Sequence, residues 1–444
     1  MIWNPAAERM PRTARETLQW ERLRVTLAWA TERVPFYAER LRGGALRGLA
    51  DLAALPFTRK SDLREHYPFG LLAVPPGELA RLHASSGTKG KPTVVGYTAG
   101  DLDVWREVMA RVLVAAGARA GDTLQNAFGY GLFTGGLGFH DGAERVGLSV
   151  VPASSGNTAR QILLLQDLRP AGLCATPSFA LHIAETLAAQ GGDPRALGLR
   201  YGLYGAEPWT EGLRGALERA FGAPAYDIYG LSEIVGPGVA GECEAREGLH
   251  VADDHFLPEI VDPATGAVRP VGEQGELVLT TLTKRALPLI RYRTGDITTL
   301  RDAPCACGRT SARIARLKGR ADDMLIVKGV NLYPSEVEST LLAVDELLPH
   351  YQLVVDRTGT LARLEVQVEP APAVIERCGG FDASHPTLLD LGRRVRERLA
   401  SAIGLTAQVT LLPPRSLPRS EGKAVRVIEK RAADAVDLKP GGAP

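Results

Sequence analysis

Two hydrophobic periods alternate along this chain. Short, largely apolar runs bounded by turn residues, such as Gly172–Thr176, and the mixed runs Thr123–Phe128 and Leu199–Tyr204 are interpreted as short strands. Longer amphipathic runs, such as Thr158–Leu168 and Phe179–Gln190, lie between such strands and are typical of helices. Strands that alternate with helices predict βαβ units and a mainly parallel sheet.

The pattern changes near residue 249. From Leu249 to Leu300, short strand-like runs are separated by proline and glycine turns, which predicts an antiparallel or barrel-like subdomain. We therefore predict an α/β protein whose large N-terminal domain, residues 1–320, contains α/β sheet subdomains and a barrel-like β subdomain. A mixed series of strands and helices follows a charged link, so residues 321–444 are predicted to form a small, mobile α+β C-terminal domain.

Composition narrows the class of protein. The 444 residues are 45% hydrophobic and 23% charged, which is ordinary for a globular protein and argues against global disorder. A net charge of +1 predicts no nucleic-acid or membrane-surface partner. The five cysteines are too few and too unevenly spaced for a disulfide scaffold, and we find neither a signal peptide nor a membrane span. We therefore expect a cytoplasmic protein.

A loop rich in glycine, hydroxyl groups and lysine lies at Ser85-Ser86-Gly87-Thr88-Lys89-Gly90-Lys91-Pro92. Glycine allows a backbone to turn its N–H groups inward, where they can hold phosphate oxygens. The P-loop pattern does not fit, because Gly87 and Gly90 are too close together and Pro92 replaces the hydroxyl that binds magnesium. The loop indicates either another kind of phosphate loop or a flexible hairpin turn.

Two predicted strands end in turns that could form a site, Gly205-Ala206-Glu207-Pro208 and Gly230-Leu231-Ser232-Glu233. Open α/β sheets bind their ligands at the carboxyl ends of strands. Tyr229 offers an aromatic face there, and Glu233 offers a hard oxygen ligand. Taken alone, Tyr229 could be ordinary packing and Glu233 an exposed residue at a helix start.

These motifs, together with Tyr292–Asp296, Gly319–Asp322 and Pro418–Lys423, resemble in order and spacing the core of the adenylate-forming acyl-CoA synthetases. They resemble most nearly the phenylacetate–coenzyme A ligase family, over nearly the whole chain. The resemblance implies a homodimeric ligase that uses ATP and Mg²⁺ to adenylate a small aryl carboxylic acid, phenylacetate. The acyl group would then pass to coenzyme A, with AMP and pyrophosphate as the other products.

The resemblance also assigns roles to residues of this sequence. Adenine would stack on Tyr229, the ribose would bind to Asp296 and Arg320, and Glu233 would hold magnesium. Lys423 would bridge the acid and the α-phosphate, and Asp322 would be the hinge of the C-terminal domain. The full nucleotide-binding set would be Ser85, Ser86, Gly87, Thr88, Gly90, Gly205, Ala206, Glu207, Pro208, Tyr229, Gly230, Ser232, Asp296 and Arg320.

The aryl pocket is predicted as a flat apolar cavity. Its candidate residues are Tyr130, Phe133, Gly135, Gly136, Phe139, Ile234, Gly236 and Pro237. Each aromatic could equally belong to the core between sheet and helix. Gly295 follows the wider superfamily, whereas many phenylacetate ligases carry arginine there, and Ser154–Gly156 stands where relatives often have more glycine, which bears on the identity of the acid. The alternatives are benzoate or a hydroxylated aryl acid as the substrate, and a carrier-protein thiol as the acceptor. His140 and His255 are interpreted as structural.

A metal site is predicted at Cys305-Ala306-Cys307, because C-x-C between proline and glycine is typical of a zinc knuckle. Cys243 and His250 would complete four ligands if the two segments meet. Such a site would be structural, because four protein ligands leave no open position. The alternative is that these four residues are unconnected.

A function of a different class is a non-catalytic nucleotide sensor, or a zinc-dependent nucleic-acid binder. The near-zero net charge and the lysine at position 423 both weigh against this reading.

Overall fold

The computed structural model describes residues 1–42, 46–85, 92–321, 323–327, 330–358, 362–422 and 424–430, apart from the side chain of residue 331. These residues form two compact units, each treated by itself below. The first unit comprises Met1–Thr176, Ile183–Ala206 and Ala220–Leu317. The second comprises Pro177–His182, Glu207–Arg219 and the described residues from Lys318 onward.

The helices are α1 (Pro5–Glu8), α2 (Arg12–Arg33), α3 (Pro35–Arg40), α4 (Lys60–Glu65), α5 (Ala99–Ala115), α6 (Thr134–Val146), α7 (Thr158–Leu168), α8 (Pro177–Ala189), α9 (Glu211–Phe221), α10 (Pro334–Leu342), α11 (Pro372–Arg377) and α12 (Pro386–Ile403). The strands of the first unit are β1 (Arg81–Ala84), β2 (Val94–Tyr97), β3 (Thr123–Asn126), β4 (Ser149–Val151), β5 (Gly172–Ala175), β6 (Tyr201–Gly205), β7 (Ala225–Leu231), β8 (Gly236–Glu242), β9 (Leu249–Val251), β10 (Phe256–Val261), β11 (Gln274–Thr281), β12 (Tyr292–Arg301) and β13 (Arg313–Ile314). The strands of the second unit are β14 (Gly319–Arg320), β15 (Leu325–Val327), β16 (Val330–Leu332), β17 (Leu347–Asp356), β18 (Arg363–Pro370), β19 (Gln408–Leu411) and β20 (Val427–Lys430).

One long sheet organises the first unit, in the order β10-β11-β12-β13-β9-β8-β7-β6-β5-β3-β4. The strands from β4 to β7 pair in parallel, and those from β7 to β10 pair antiparallel. The parallel strands follow from βαβ crossovers and the antiparallel ones from proline and glycine turns, as the two hydrophobic patterns predict. The antiparallel strands continue the same sheet, which the sequence pattern did not indicate.

Helix α5 packs against β8 beneath the parallel-to-antiparallel junction. It begins with a capping box, in which Asp101 N donates to Thr98 Oγ1 and the Asp101 carboxylate accepts from Thr98 N. Its Trp105 is buried and donates Nε1–H to Pro237 O at 2.9 Å. Gly236 has φ +108°, and a Cβ there would lie 2.4 Å from the Trp105 ring, so only glycine fits.

The second unit has its own sheet, in the order β19-β18-β17-β20, and its own apolar core. The amphipathic helix α12 buries Leu388, Leu391, Val395 and Leu399, a spacing of three and four residues that keeps one helix face on the core. Glu369, at the end of β18, accepts from Leu417 N and from both terminal nitrogens of Arg419. This carboxylate therefore holds the segment that leads toward residue 422.

Candidate active site

The first site element is the end of the parallel strands in the first unit. Strands β6 and β7 pair in parallel, with Gly205 opposite Ile228, so Gly205 lies beside the strand that ends in the Tyr229 motif. A short turn at 232–235 then reverses the chain into β8. A Cβ on Gly230 would lie 1.9 Å from Gly236 O, so this tight reversal requires glycine. The reversal is a change of strand direction at carboxyl ends, which is a typical ligand position.

Tyr229 and Asp296 meet at this position. The Tyr229 hydroxyl donates to Asp296 Oδ2 at 2.6 Å, and both residues are buried. Asp296 lies in β12, and its backbone N–H donates to Thr294 Oγ1 at 3.0 Å. The two residues are 67 positions apart in the sequence, and the fold brings them together as the resemblance implies.

Glu233 is the carboxylate of the Tyr229–Glu233 motif and lies four residues after Tyr229. It is 4% exposed and lies in the turn at 232–235, so it is not the exposed residue at a helix start that one reading allowed. Nζ of Lys60, at the start of α4, lies 3.1 Å from Glu233 Oε1. Among the described residues Oε1 nevertheless accepts no hydrogen bond, so this contact is an ion pair only. A buried carboxylate oxygen that accepts no hydrogen bond from the described residues suits a cationic ligand.

The candidate phosphate loop begins on the hairpin of β1 and β2. The register pairs Arg81 with Tyr97 and Ala84 with Val94. Ser85 N donates to Thr93 O at 3.0 Å, and Thr93 N donates to Ser85 Oγ at 3.2 Å. Of the loop's candidate residues only Ser85 is placed, and Ser86, Gly87, Thr88 and Gly90 lie outside the described residues.

The candidate aryl loop, Gly129–Gly136, is attached to the same hairpin. Ala84 N donates to Leu132 O at 2.9 Å, and His83 Nδ1 lies 3.0 Å from the same oxygen. The stem of the phosphate loop and the aryl loop are therefore joined at one carbonyl.

Within the aryl loop the glycines allow close approach. A Cβ on Gly135 would lie 2.7 Å from the Phe133 ring, and a Cβ on Gly136 would lie 2.6 Å from Gly129 O. Tyr130 and Phe133 are half-buried, whereas Phe139 and Ile234 are fully buried, with Phe139 stacked on Phe128 at 5.0 Å. Phe139 and Ile234 thus pack in the core, and their role as pocket residues stays a prediction.

Both histidines that were interpreted as structural have partners. His140 lies 3.1 Å from the Tyr130 hydroxyl through Nδ1 and 3.1 Å from Glu144 through Nε2. His255 lies 2.9 Å from Thr283 Oγ1 and 3.2 Å from Asp254. Burial lowers the pKa of His255 to about 4 despite the neighbouring Asp254, so it is neutral at pH 7.

The second unit contains other candidates. Glu207 accepts from Ser178 N and from Ala424 N, both at 2.8 Å, so its carboxylate is used within that unit. Pro208 lies beside it, and Arg320 lies in β14. Asp322 and Lys423 lie outside the described residues, so the predicted hinge and the predicted catalytic lysine are not placed.

The candidate metal ligands do come together. Strands β8, β9 and β13 pair in one register, with Gly241 opposite His250 and His250 opposite Arg313. This register brings Cys243, just after β8, and the Cys305–Cys307 loop before β13 to His250. The four ligand atoms all lie within 4.8 Å of one another.

The distances suit a tetrahedral ion. Cys243 Sγ and Cys305 Sγ are 3.7 Å apart, and Cys307 Sγ lies 3.4 Å from His250 Nε2. Zinc–sulfur bonds of about 2.3 Å at tetrahedral angles would put two sulfurs about 3.8 Å apart. His250 Nδ1 contacts Ser311 Oγ at 3.1 Å, which orients the ring so that Nε2 faces the thiols. The donor set therefore fits zinc.

Sequence reasoning missed the lysines of this region. Lys60 lies in a segment, Pro56–Arg64, that resembles the ligases, but no role followed from its type or spacing. Lys284 is 5% exposed and donates to two backbone carbonyls near Glu233. The available signal was a lysine just beyond the buried strand β11, separated from it only by Leu282 and Thr283, because lysine is almost never fully buried without partners.

Family models match both parts of the chain. Residues 46–282 match the model of the AMP-binding enzymes, and residues 329–431 match that of the AMP-binding enzyme C-terminal domain. Among solved structures, 2-hydroxyisobutyryl-CoA ligase in complex with 2-HIB-AMP superposes with a TM-score of 0.91 at 31% identity, over 97% of this chain and 93% of that one. The class defined by fold and site is therefore that of adenylate-forming ligases.

Relatives of known name identify the branch of the family to which the chain belongs. The phenylacetate–coenzyme A ligase of Thermus thermophilus is 52% identical over 97% of this chain and 100% of its own length. That of Escherichia coli is 47% identical over 94% of this chain and 95% of its own length. The chain belongs to the AMP-binding enzyme family, in its phenylacetate–coenzyme A ligase branch. The predicted fold class and the predicted acid–thiol ligase are thereby confirmed.

Proposed function

We propose that this chain converts phenylacetate, ATP and coenzyme A into phenylacetyl-CoA, AMP and pyrophosphate. The observation that carries the proposal is the buried Tyr229–Asp296 pair at the strand ends, with the carboxylate of Glu233 in the adjacent turn. The close relatives with this named activity support the choice of acid.

Catalysis begins with a poor acyl donor, because a carboxylate has no good leaving group. Attack of the phenylacetate oxygen on the α-phosphorus of ATP releases pyrophosphate and leaves an acyl-adenylate, whose leaving group is AMP. The thiol of coenzyme A then attacks the acyl carbon and displaces AMP. The two steps need one site that holds the adenosine fixed while the reacting groups change.

The adenosine is held by Asp296 and Tyr229. A carboxylate accepts from two hydroxyls on adjacent ribose carbons, and the hydrogen bond from Tyr229 fixes the orientation of that carboxylate. The tyrosine ring offers a face for adenine at the end of β7. Arg320, by resemblance, donates to the same ribose.

The charges of the polyphosphate are met by Mg²⁺ and by the loop at 85–92. One carboxylate together with substrate phosphates is a usual magnesium environment, and Glu233 supplies that carboxylate. Mg²⁺ held there would supply positive charge that neutralises the phosphate oxygens. Lys60, whose ammonium lies 3.1 Å from Glu233, is the cation paired with this carboxylate and would compete with a divalent ion for it. Lys423, by resemblance, bridges the acid and the α-phosphate, and Asp322 is the hinge that withdraws it before the thiol attacks.

The cluster of Cys243, His250, Cys305 and Cys307 holds a structural zinc ion in this proposal. Burial opposes ionisation of Cys307, but hydrogen bonds from His250 and Arg309 lower the pKa of its thiol, which favours a metal-binding thiolate. The knuckle also holds the N-terminus, because Arg309 Nε donates to Glu8 at 2.5 Å and Thr310 N donates to Glu8 O at 2.9 Å. Zinc content measured on purified protein, with Cys307→Ala as control, tests this part.

A cytoplasmic location and a homodimer remain predictions. The location is supported by the use of ATP and coenzyme A and by the cysteines, which are all free thiols. No helix among the described residues has the length and apolarity needed to cross a membrane.

The test of the function is product formation across a panel of acids. Phenylacetate, benzoate, hydroxylated phenylacetates, acetate and octanoate are each incubated with ATP, Mg²⁺ and coenzyme A, and the thioester is identified by mass. We expect phenylacetyl-CoA to form with the highest kcat/KM. A higher value for benzoate or acetate would overturn the choice of acid, and thioester formation with none of them would overturn the ligase.

A further inference from the structure

A buried lysine lies beneath the turn that carries Glu233. Lys284 follows β11, and its Nζ donates to Ile234 O at 2.7 Å and to Glu233 O at 3.1 Å. It also lies 4.6 Å from the centre of the Tyr97 ring. Burying an ammonium group is costly unless it is paired or hydrogen-bonded. The two carbonyls and the Tyr97 ring offset this cost for Lys284.

Tyr97 completes the contact with the same turn. Its hydroxyl lies 3.0 Å from Val235 O and 3.3 Å from Ser232 O. The four consecutive carbonyls of residues 232–235 are thus all bound by two side chains, Tyr97 and Lys284. Because neither side chain contacts the Glu233 carboxylate by these bonds, they fix the backbone and leave the carboxylate to its ligand.

Both side chains are themselves held firmly. Tyr97 is fully buried at the end of β2, where its ring stacks on Trp105 at 5.2 Å. The residues after Lys284 are fixed by Asp101, whose carboxylate accepts from Arg285 N at 2.6 Å and from Ala286 N at 3.0 Å. The support for the Glu233 turn therefore extends into the capping box of α5 and into the stem of the phosphate loop.

We infer that Lys284 is a positioning residue for the magnesium-binding carboxylate. By holding the carbonyls of Glu233 and Ile234, its ammonium fixes the backbone from which the Glu233 side chain projects. This role rests on the proposed function, in which Glu233 binds the Mg²⁺ of the ATP complex. It predicts that loss of the ammonium weakens the response to Mg²⁺ and leaves binding of the aryl acid unchanged.

The test is Lys284→Met, which keeps the length of the side chain and removes its donors. Phenylacetate-dependent exchange of pyrophosphate into ATP is measured while free Mg²⁺ is varied. We expect the Mg²⁺ concentration for half-maximal exchange to rise at least ten-fold and the KM for phenylacetate to change less than two-fold. A merely structural lysine would lower the amount of folded enzyme and leave both constants unchanged.

Lys60→Met is the matched control, because it removes the other lysine near Glu233. Lys60 contacts the carboxylate itself, so its loss removes a competing cation, and the Mg²⁺ requirement should not rise. An equal rise in both variants would overturn the inference, because it would reflect lost positive charge in general. Should Lys284→Met not fold, Lys284→Gln keeps a donor for one carbonyl. A three-fold rise is expected there, and no rise would overturn the inference.

The proposed function can fail separately in the same assay. If the parent enzyme shows no acid-dependent exchange, the proposed function is refuted. If the parent is active and Lys284→Met has an unchanged Mg²⁺ requirement, only the role of Lys284 is refuted.

Discussion

Two buried carboxylates, Asp254 and Glu233, lie in turns of the same sheet of the first unit, and they differ in how they are paired. Asp254, at the turn between β9 and β10, accepts from Arg111 Nη1 at 2.7 Å and Nη2 at 3.1 Å. Arg22 and His255 lie 3.7 and 3.2 Å from the same carboxylate. Glu233, at the strand ends, has Lys60 as its ion pair, and Oε1 accepts no hydrogen bond from the described residues.

The difference separates stability from function. The buried charge of Asp254 is compensated as long as every partner remains, and these contacts connect helices α2 and α5 to the sheet. The buried oxygen Oε1 of Glu233 accepts no hydrogen bond from the described residues. Burying such a charged oxygen is costly unless a ligand compensates its charge. We therefore expect a buried carboxylate that lacks hydrogen-bond donors to indicate a ligand site better than a fully paired one does.

The largest expected effect is on folding. Asp254→Asn leaves the buried guanidinium of Arg111 without its bidentate partner, and we expect a loss of about 3–5 kcal/mol in the free energy of unfolding. The kcat per folded molecule should stay within two-fold of the parent. Chemical denaturation and active-site titration measure the two quantities, and a stable but inactive variant would break the comparison.

Glu233→Gln is expected to lower activity without lowering stability, the reverse of Asp254→Asn. Loss of one oxygen charge at the proposed magnesium site should lower the rate of adenylation by about 10²–10³-fold, comparable to the loss of one electrostatic contact in other active sites. The melting temperature should stay level or rise, because a buried charge is removed. Single-turnover pyrophosphate release and calorimetry give both numbers. A large loss of stability together with near-normal adenylation would mean that Glu233 belongs with Asp254.

Tyr229→Phe should have a smaller effect. It removes the hydroxyl that donates to Asp296 at 2.6 Å and keeps the ring for stacking. Hydrogen bonds to charged groups contribute about 1.5–3 kcal/mol, so the KM for ATP should rise between ten-fold and about a hundred-fold. Steady-state kinetics with phenylacetate at saturation provide the measurement, and an unchanged KM for ATP would remove this pair from the ribose site.

The smallest effect concerns the pH dependence of stability. Burial lowers the pKa of Lys284 to about 7, against the opposing charges of Asp101 and Glu233. The unfolded chain then binds more protons than the native protein between about pH 7 and the ordinary lysine pKa near 10.4. The parent should therefore gain stability relative to Lys284→Met as the pH rises above 7, by at most about 1.4 kcal/mol per pH unit.

This gain should be absent below pH 7, where Lys284 is charged in both states. Denaturation of both proteins between pH 6 and 9 measures the difference. A constant difference across that range would mean that Lys284 keeps an ordinary pKa.

Much of the fold followed from the sequence. The predicted helix Thr158–Leu168 agrees with α7 at both ends, because its amphipathic period is clear and Asn157 supplies the N-cap. The predicted strand Thr123–Phe128 ends at Asn126 in the structure, because the Asn126 side chain starts a turn by accepting from Phe128 N. The continuity of the antiparallel strands with the parallel sheet was not predictable, because it depends on pairings between strands distant in sequence.

The site was predicted unevenly for the same reason. Tyr229, Glu233 and Asp296 were proposed as site residues because their motifs are local and ordered, and their roles stay predictions. The cysteines and His250 were proposed as one cluster from residue type, and the register of β8, β9 and β13 brings them together. Lys284 and Tyr97 were missed because their function depends on backbone carbonyls 50 positions or more away, which carry no side-chain signal in a sequence.

The central claim is adenylation at the strand ends, and pyrophosphate exchange without coenzyme A tests it most directly. With phenylacetate and Mg²⁺ present, label from pyrophosphate should enter ATP in the parent, and the exchange should be lost in Glu233→Gln while Asp254→Asn retains it in its folded fraction. Exchange that continues in Glu233→Gln, or that occurs equally without any acid, would contradict the account.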